Sequence, residues 1–280
     1  MAPFPNIYWL PGNLCKKKIA FAVSAGARTT AATLEKSTAE QMKKILLDFY
    51  LIGARDDLTE KLVEDIVSDN SKKNLLRVPD PTFTYEVRET GVKEKLIKQG
   101  YNLNKRIVWI SLPYGFIIKE NIIQRCKAQN LQVLCTEGIA DINGMPIDPH
   151  EWAQLPQFVN LVITDRFHGT ILSLKNVKPV ITIDCLALRY NKDGYSKTRC
   201  LCRSLGLEEN HFNHNAISSN YDAFYNHLET AIERFDINNV RQKIGEMKKQ
   251  VLNFLDKIEE TLAMQMLICS AVSLFTFLDI

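Results

Sequence analysis

Hydrophobic positions along the chain alternate between two periods. Short apolar, largely β-branched runs at 19–23, 49–54, 75–78, 106–112, 131–136, 161–163 and 180–183 predict strands. Their near-continuous apolarity is that of strands covered on both faces of a parallel sheet. Between them the spacing turns helical. Residues 33–47 place Leu34, Met42, Ile45 and Leu46 on one face, and 58–69, 92–98 and 117–129 read the same way. Asn143-Gly144 marks a turn. Asp148, with Pro149 next and Glu151 three residues on, reads as a capped helix start, which leaves His150 a plain surface role. Helical spacing then runs from 222 to 258. Strands alternating with helices of these lengths imply an α/β protein with parallel sheets and helices on both faces. The mostly polar stretch 83–104 is the expected domain crossing, dividing the chain into 1–88, 89–258 and an apolar C-terminal tail helix, 259–280.

The stretch from Leu161 to Asp184 is the most informative. A buried strand, a charged corner, a short helix over 170–177 and a second buried strand make a compact β-α-β unit. The ligand-binding edge of such a unit lies at the carboxyl ends of its strands, where Arg166, His168 and Gly169 fall. If the corner is extended, Arg166 and His168 point the same way and converge on one ligand, while Phe167 packs behind. Gly169 admits a close approach to the backbone, and the helix beginning near Thr170 offers free N–H groups to an anion. The plainer alternative is a sheet corner with a solvated arginine and a half-buried histidine. Arg55 is delivered to the same kind of edge by the strand 49–54. Its plainer alternative is an ion pair with Asp56, Asp57 or Glu60. Asp80, bracketed by Pro79 and Pro81, reads as a rigid structural turn.

Composition narrows the class. At 280 residues and 46% hydrophobic positions the chain supports a sizeable core in two domains and is neither disordered nor fibrous. The net charge is only +3, but residues 166–203 hold eight Lys/Arg against two Asp. That local field suits a phosphate- or carboxylate-bearing substrate better than a nucleic acid, which needs a broader basic face. Seven cysteines form no C-x-x-C pair, and Cys200 and Cys202 read as packing residues of a helix, so no metal site is expected. An odd cysteine count, and a start with no basic region leading into a long apolar core, predict reduced thiols and a cytoplasmic protein. Residues 261–278 lack any charge but carry Gln265, Ser270, Ser273 and Thr276. They read as a packed or membrane-surface segment, at the inner face of the membrane, rather than a span.

Several ordered blocks resemble one family. Thr164-Asp-Arg-Phe-His-Gly-Thr170, with Ser173-Leu174 and Lys178-Pro179, looks like the signature of polysaccharide pyruvyl transferases in its R-x-H form. Residues 18–26 are similar to the family's early strand and loop, Gly53-Ala-Arg55-Asp56 to a strand end, and 78–83 to its D-P-T-F turn. Tyr195-Ser-Lys-Thr-Arg199 with 204–207 resembles a later segment. The resemblance implies two Rossmann-like halves in a glycosyltransferase-B-like arrangement, the first half incomplete because members carry more chain before the equivalent of Lys18. It also implies transfer of a pyruvyl group from phosphoenolpyruvate, as donor substrate and without a cofactor, to a glycan or lipid-linked sugar as a ketal. On that basis Arg166 and His168 are the candidate catalytic residues, and Arg55, Gly169, Thr170, Lys197 and Arg199 the candidate substrate contacts. A nucleotide-sugar-dependent glycosyltransferase of the same architecture and a catalytically inactive fragment are the alternatives.

Overall fold

The computed structural model describes residues 18–26, 28–67, 74–113, 115–136, 141–142, 145–186, 190–191 and 193–268, without the side chains of 141 and 263–268. The start of the chain, the turn at Asn143-Gly144 and the tail beyond 268 lie outside the described residues. Lys18–Val23 (β1), Lys36–Leu47 (α1), Phe49–Ala54 (β2), Asp57–Val67 (α2) and Leu75–Arg77 (β3) build a parallel sheet in the order β1-β2-β3. The apolar faces of α1 and α2, with Met42, Leu46, Leu62 and Ile66, close one side of it.

After Val92–Lys98 (α3), the chain forms a second parallel sheet. Its elements are Ile107–Ser111 (β4), Ile117–Ala128 (α4), Gln132–Cys135 (β5), a short antiparallel pair Asp141–Ile142 (β6) and Met145–Pro146 (β7), and Pro149–Gln154 (α5). Leu161–Thr164 (β8), Phe167–Lys175 (α6), Val180–Asp184 (β9), Lys197–Ser204 (α7) and His211–Asn213 (β10) follow. The order is β10-β9-β8-β4-β5. Residues of β4, β8 and β9 are buried throughout, which is why they read as unbroken apolar runs. Alternate residues serve two cores: Trp109, Val162 and Val180 on one face, Val108, Ile163 and Ile181 on the other. The expected cap of α5 is present, with Glu151 N donating to Asp148 Oδ1 at 2.8 Å and Asp148 N to Glu151 Oε2 at 2.9 Å. Because β5 lies on one side of β4 and β8 on the other, the strand order reverses there. The crevice at the carboxyl ends of β4 and β8 is where open α/β sheets bind ligands.

His214–Ser219 (α8) and Tyr221–Thr230 (α9) precede Ile237–Ile268 (α10). The helical stretch expected over 222–258 is thus two helices. Asp236 starts the second, accepting from Asn238 N and Asn239 N at 3.0 Å each. Early in α10 Val240 enters the core of the second sheet; later Phe254 covers the first, against Leu51 and Val78. Gly53 makes that contact possible. A Cβ there would lie 2.9 Å from both Phe254 Cζ and Val78 Cγ2, closer than packed carbons come. Among the described residues no helix is long and apolar enough to cross a membrane.

Candidate active site

Arg55 follows β2 and keeps its ladder, donating its backbone N–H to Val23 O at 2.8 Å. The acidic residues beside it are occupied elsewhere. Asp56 caps α2, accepting from Thr59 N at 2.8 Å and Thr59 Oγ1 at 2.7 Å, and also from Ser24. Asp57 and Glu60 face Arg77, at 2.5 and 3.3 Å. Arg55 instead donates Nη1 to Asp80 Oδ2 at 2.6 Å and lies over the Phe167 ring, 4.9 Å from its centroid. Asp80 is 3% exposed and also accepts from Thr82 N through Oδ1 at 2.9 Å. Its Oδ2 is 3.5 Å from His168 Nε2. Burial opposes ionisation here, but the hydrogen bonds from His168 and Thr82 outweigh it and hold the Asp80 carboxyl well below the usual carboxylate range. One carboxylate therefore joins an arginine from the edge of the first sheet to a histidine from the second.

The signature corner differs from its sequence reading in one respect. The helix begins at Phe167 rather than near Thr170, with Arg166 as the residue before it. His168 is thus in the first helical turn and the two side chains do not share an extended segment. The His168 side chain is 59% exposed and faces Asp80, while Arg166, 40% exposed, turns to Asp165 with Nε 3.1 Å from Oδ1. That is an ion-pair distance without hydrogen-bond alignment. Gly169 and Thr170 are buried. The close approach at Gly169 is by the protein itself. A Cβ would sit 3.1 Å from Thr164 Oγ1, 3.2 Å from Arg166 Cβ and 3.3 Å from Trp152. The Thr170 hydroxyl donates to Arg166 O at 3.0 Å.

A cleft of about 340 Å³ opens between the Arg55 corner and the second half of the molecule, with α7 and α10 as its far wall. Lys197, at the start of α7, lines it together with Arg55, Asp80 and Phe167. Among the described residues the Lys197 ammonium has no hydrogen-bond or ion-pair partner. Burial, then the charge of Arg55, push it below the usual lysine range, with Asp56 opposing. Arg199 is differently placed. Its Nε and Nη2 both lie 2.9 Å from Glu208 Oε1, and its guanidinium stacks on Tyr195 at 4.9 Å. Arg203 pairs with Asp57 across the cleft. Within 166–203, Arg166, Arg199 and Arg203 are thus paired with Asp165, Glu208 and Asp57, and Lys197 lines the cleft. Cys200 and Cys202 are buried packing residues of α7.

Structure thus gathers Arg55, His168 and Lys197 around Asp80 and the cleft, while Arg199 is held by Glu208 and Gly169 and Thr170 are buried. Asp80 is the member that sequence reasoning left as a turn residue. The signal was there in an acidic side chain held rigid between two prolines beside a strand end.

Residues 5–185 match the profile of the family described as polysaccharide pyruvyl transferase. No curated protein matches the chain. Among solved structures it is similar to the UDP-GlcNAc 2-epimerase from Methanocaldococcus jannaschii, with a TM-score of 0.55 at 10% identity over 88% of this chain and 70% of that one. It is also similar to the UDP-GlcNAc 2-epimerase from Neisseria meningitidis bound to UDP-GlcNAc, at 0.54 and 9%, over 86% and 69%. At these identities the likeness is one of fold: two Rossmann-like halves in a glycosyltransferase-B-like arrangement.

Proposed function

The chain belongs to the polysaccharide pyruvyl transferase family, and from that premise we propose that it moves a pyruvyl group from phosphoenolpyruvate to a sugar of a cell-surface polysaccharide precursor, forming a pyruvate ketal. The observation that supports this reading is the meeting of Arg55 and His168 on one buried carboxylate beside the cleft that holds Lys197.

The donor carries a carboxylate and a phosphate, and guanidinium forks match both. Arg55, backed by Phe167 and Asp80, is the preorganised fork, and Arg166, one residue before Phe167, is proposed as the second. Lys197 supplies a compact positive charge whose burial is relieved when an anion arrives. In the transfer the enol carbon of the donor gains a proton and becomes the methyl group. One sugar hydroxyl adds to the neighbouring carbon, and a second replaces the phosphate at that carbon, so two C–O bonds form and the C–O bond to phosphate breaks. The two hydroxyl protons are accounted for by the new methyl group and the departing phosphate. His168 is the residue proposed to carry a proton, since histidine is the side chain type that serves most often as a general acid or base. Its Nε2 faces Asp80, which leaves Nδ1 for the substrate. The acceptor proposed is a glycan or lipid-linked sugar, met in the cytoplasm at the inner face of the membrane.

Calorimetric titration of the purified chain with phosphoenolpyruvate tests this reading, with a nucleotide sugar as control. Saturable binding of phosphoenolpyruvate, weakened at least tenfold in Arg166→Ala, His168→Ala and Lys197→Ala proteins, is the expected outcome. Binding of the nucleotide sugar alone by the folded protein would move the assignment to a glycosyltransferase.

A further inference from the structure

An anion site with a buried, ionised carboxylate at its centre is electrostatically paradoxical. Asp80 sits where the donor's negative groups are proposed to bind, and its charge opposes them. A carboxylate in that place is tolerable only if it does something that the charge balance does not describe.

Its geometry says what. Pro79 and Pro81 restrict the backbone on either side, and Thr82 N holds Oδ1 at 2.9 Å, so the carboxylate itself cannot swing. The other oxygen takes Arg55 Nη1 at 2.6 Å and faces His168 Nε2 at 3.5 Å. Phe167, between the two in the fold, carries the Arg55 guanidinium on its ring. An arginine has several rotatable bonds, and its guanidinium is useful as a fork only when its plane is fixed. Here one nitrogen is tied to Asp80, while Nε is buried with no hydrogen-bond partner among the described residues. The histidine ring, otherwise 59% exposed and free to rotate, is given one direction.

We propose that Asp80 is a positioning residue that fixes the Arg55 fork and the His168 ring toward one donor anion, so that the alignment of this corner, more than its net charge, governs affinity. The proposal rests on the phosphoenolpyruvate reading above. Its low carboxyl range keeps Asp80 ionised throughout the neutral pH region, as the role requires.

The nearly isosteric Asp80→Asn substitution separates three roles by sign. An asparagine still accepts from Thr82 N but loses the charge that holds Arg55. If Asp80 were only a neighbouring negative charge, its removal would tighten phosphoenolpyruvate binding. If it only stabilised the fold, the affinity of the folded fraction would not change. A positioning role predicts affinity about tenfold weaker, although a repulsive charge has gone. Arg55→Lys gives a second route that keeps Asp80 and the charge count while removing the planar fork, and the same tenfold loss is expected. The Arg55 Nε–H resonance, followed by 15N NMR without ligand, should move and broaden in Asp80→Asn. Wild-type protein that binds no phosphoenolpyruvate overturns the donor reading and this proposal with it. Wild-type protein that binds, alongside an Asp80→Asn protein binding as well or better, or an unmoved Arg55 resonance, overturns the positioning role alone.

Discussion

Asp80 carries its charge where burial works against it, and the contacts that compensate are native ones: His168, and the Thr82 side chain and backbone. A carboxyl whose folded-state value lies below its ordinary 3.8 contributes stability that is fully present above that value. The contribution is lost as pH falls below it, because the unfolded chain then takes up the proton more readily than the folded one. Denaturant midpoints of the wild-type protein are therefore expected to drop on acidification below about pH 4 more steeply than those of Asp80→Asn. Parallel acid profiles for the two proteins would show that the carboxyl is not held low. At this scale the sequence was informative about which residues carry charge to the strand ends and silent about how they pair. Arg55 and Arg199 look alike in the sequence; the first ends on a buried carboxylate at the cleft, the second on Glu208. Pairing depends on which loops the sheets bring together, over separations such as the 25 residues between Arg55 and Asp80.

Strands and helices were legible where burial alone decides them. β2, β4, β8 and β9 are apolar at nearly every position because both their faces are covered, and α2 shows one apolar side. Element ends were less so, because polar residues decide them. The helix after β8 starts three residues early: Thr164 Oγ1 accepts from Arg166 N at 2.9 Å and turns the chain at once into α6. Likewise the break before α10 depends on Asp236, one acidic residue among many in a charged stretch. That cap gives an element-scale prediction. Asp236→Ala leaves two N–H groups at the start of α10 without their partner, and the cost expected is about 1 kcal/mol in denaturant unfolding. A change within about 0.2 kcal/mol would mean that water serves these groups equally well.

At the scale of the whole molecule, α10 couples the halves. Its first turns belong to the core around Trp109 and Val162, and Phe254, 2% exposed, closes the face of the first sheet formed by Ala22, Leu51 and Val78. Among the described residues the first sheet has three strands and α10 covers that face, so its stability depends on a helix anchored in the other half. Phe254→Ala removes a ring stacked on Phe21 at 5.6 Å and seated over Gly53, and truncation of a buried phenylalanine costs about 3–5 kcal/mol. The loss should be uneven. Hydrogen exchange is expected to lose protection across β1 to β3 well before β4, β8 and β9, whose cores keep α4, α6 and α9. Because Arg55 and Asp80 leave the first sheet beside that face while His168 leaves the second, loosening the first sheet also separates the two halves of the site. Phosphoenolpyruvate binding should then weaken in Phe254→Ala although no residue near the ligand has changed. Equal loss of protection in both sheets would instead mean that the molecule unfolds as one unit and that α10 is part of a single core.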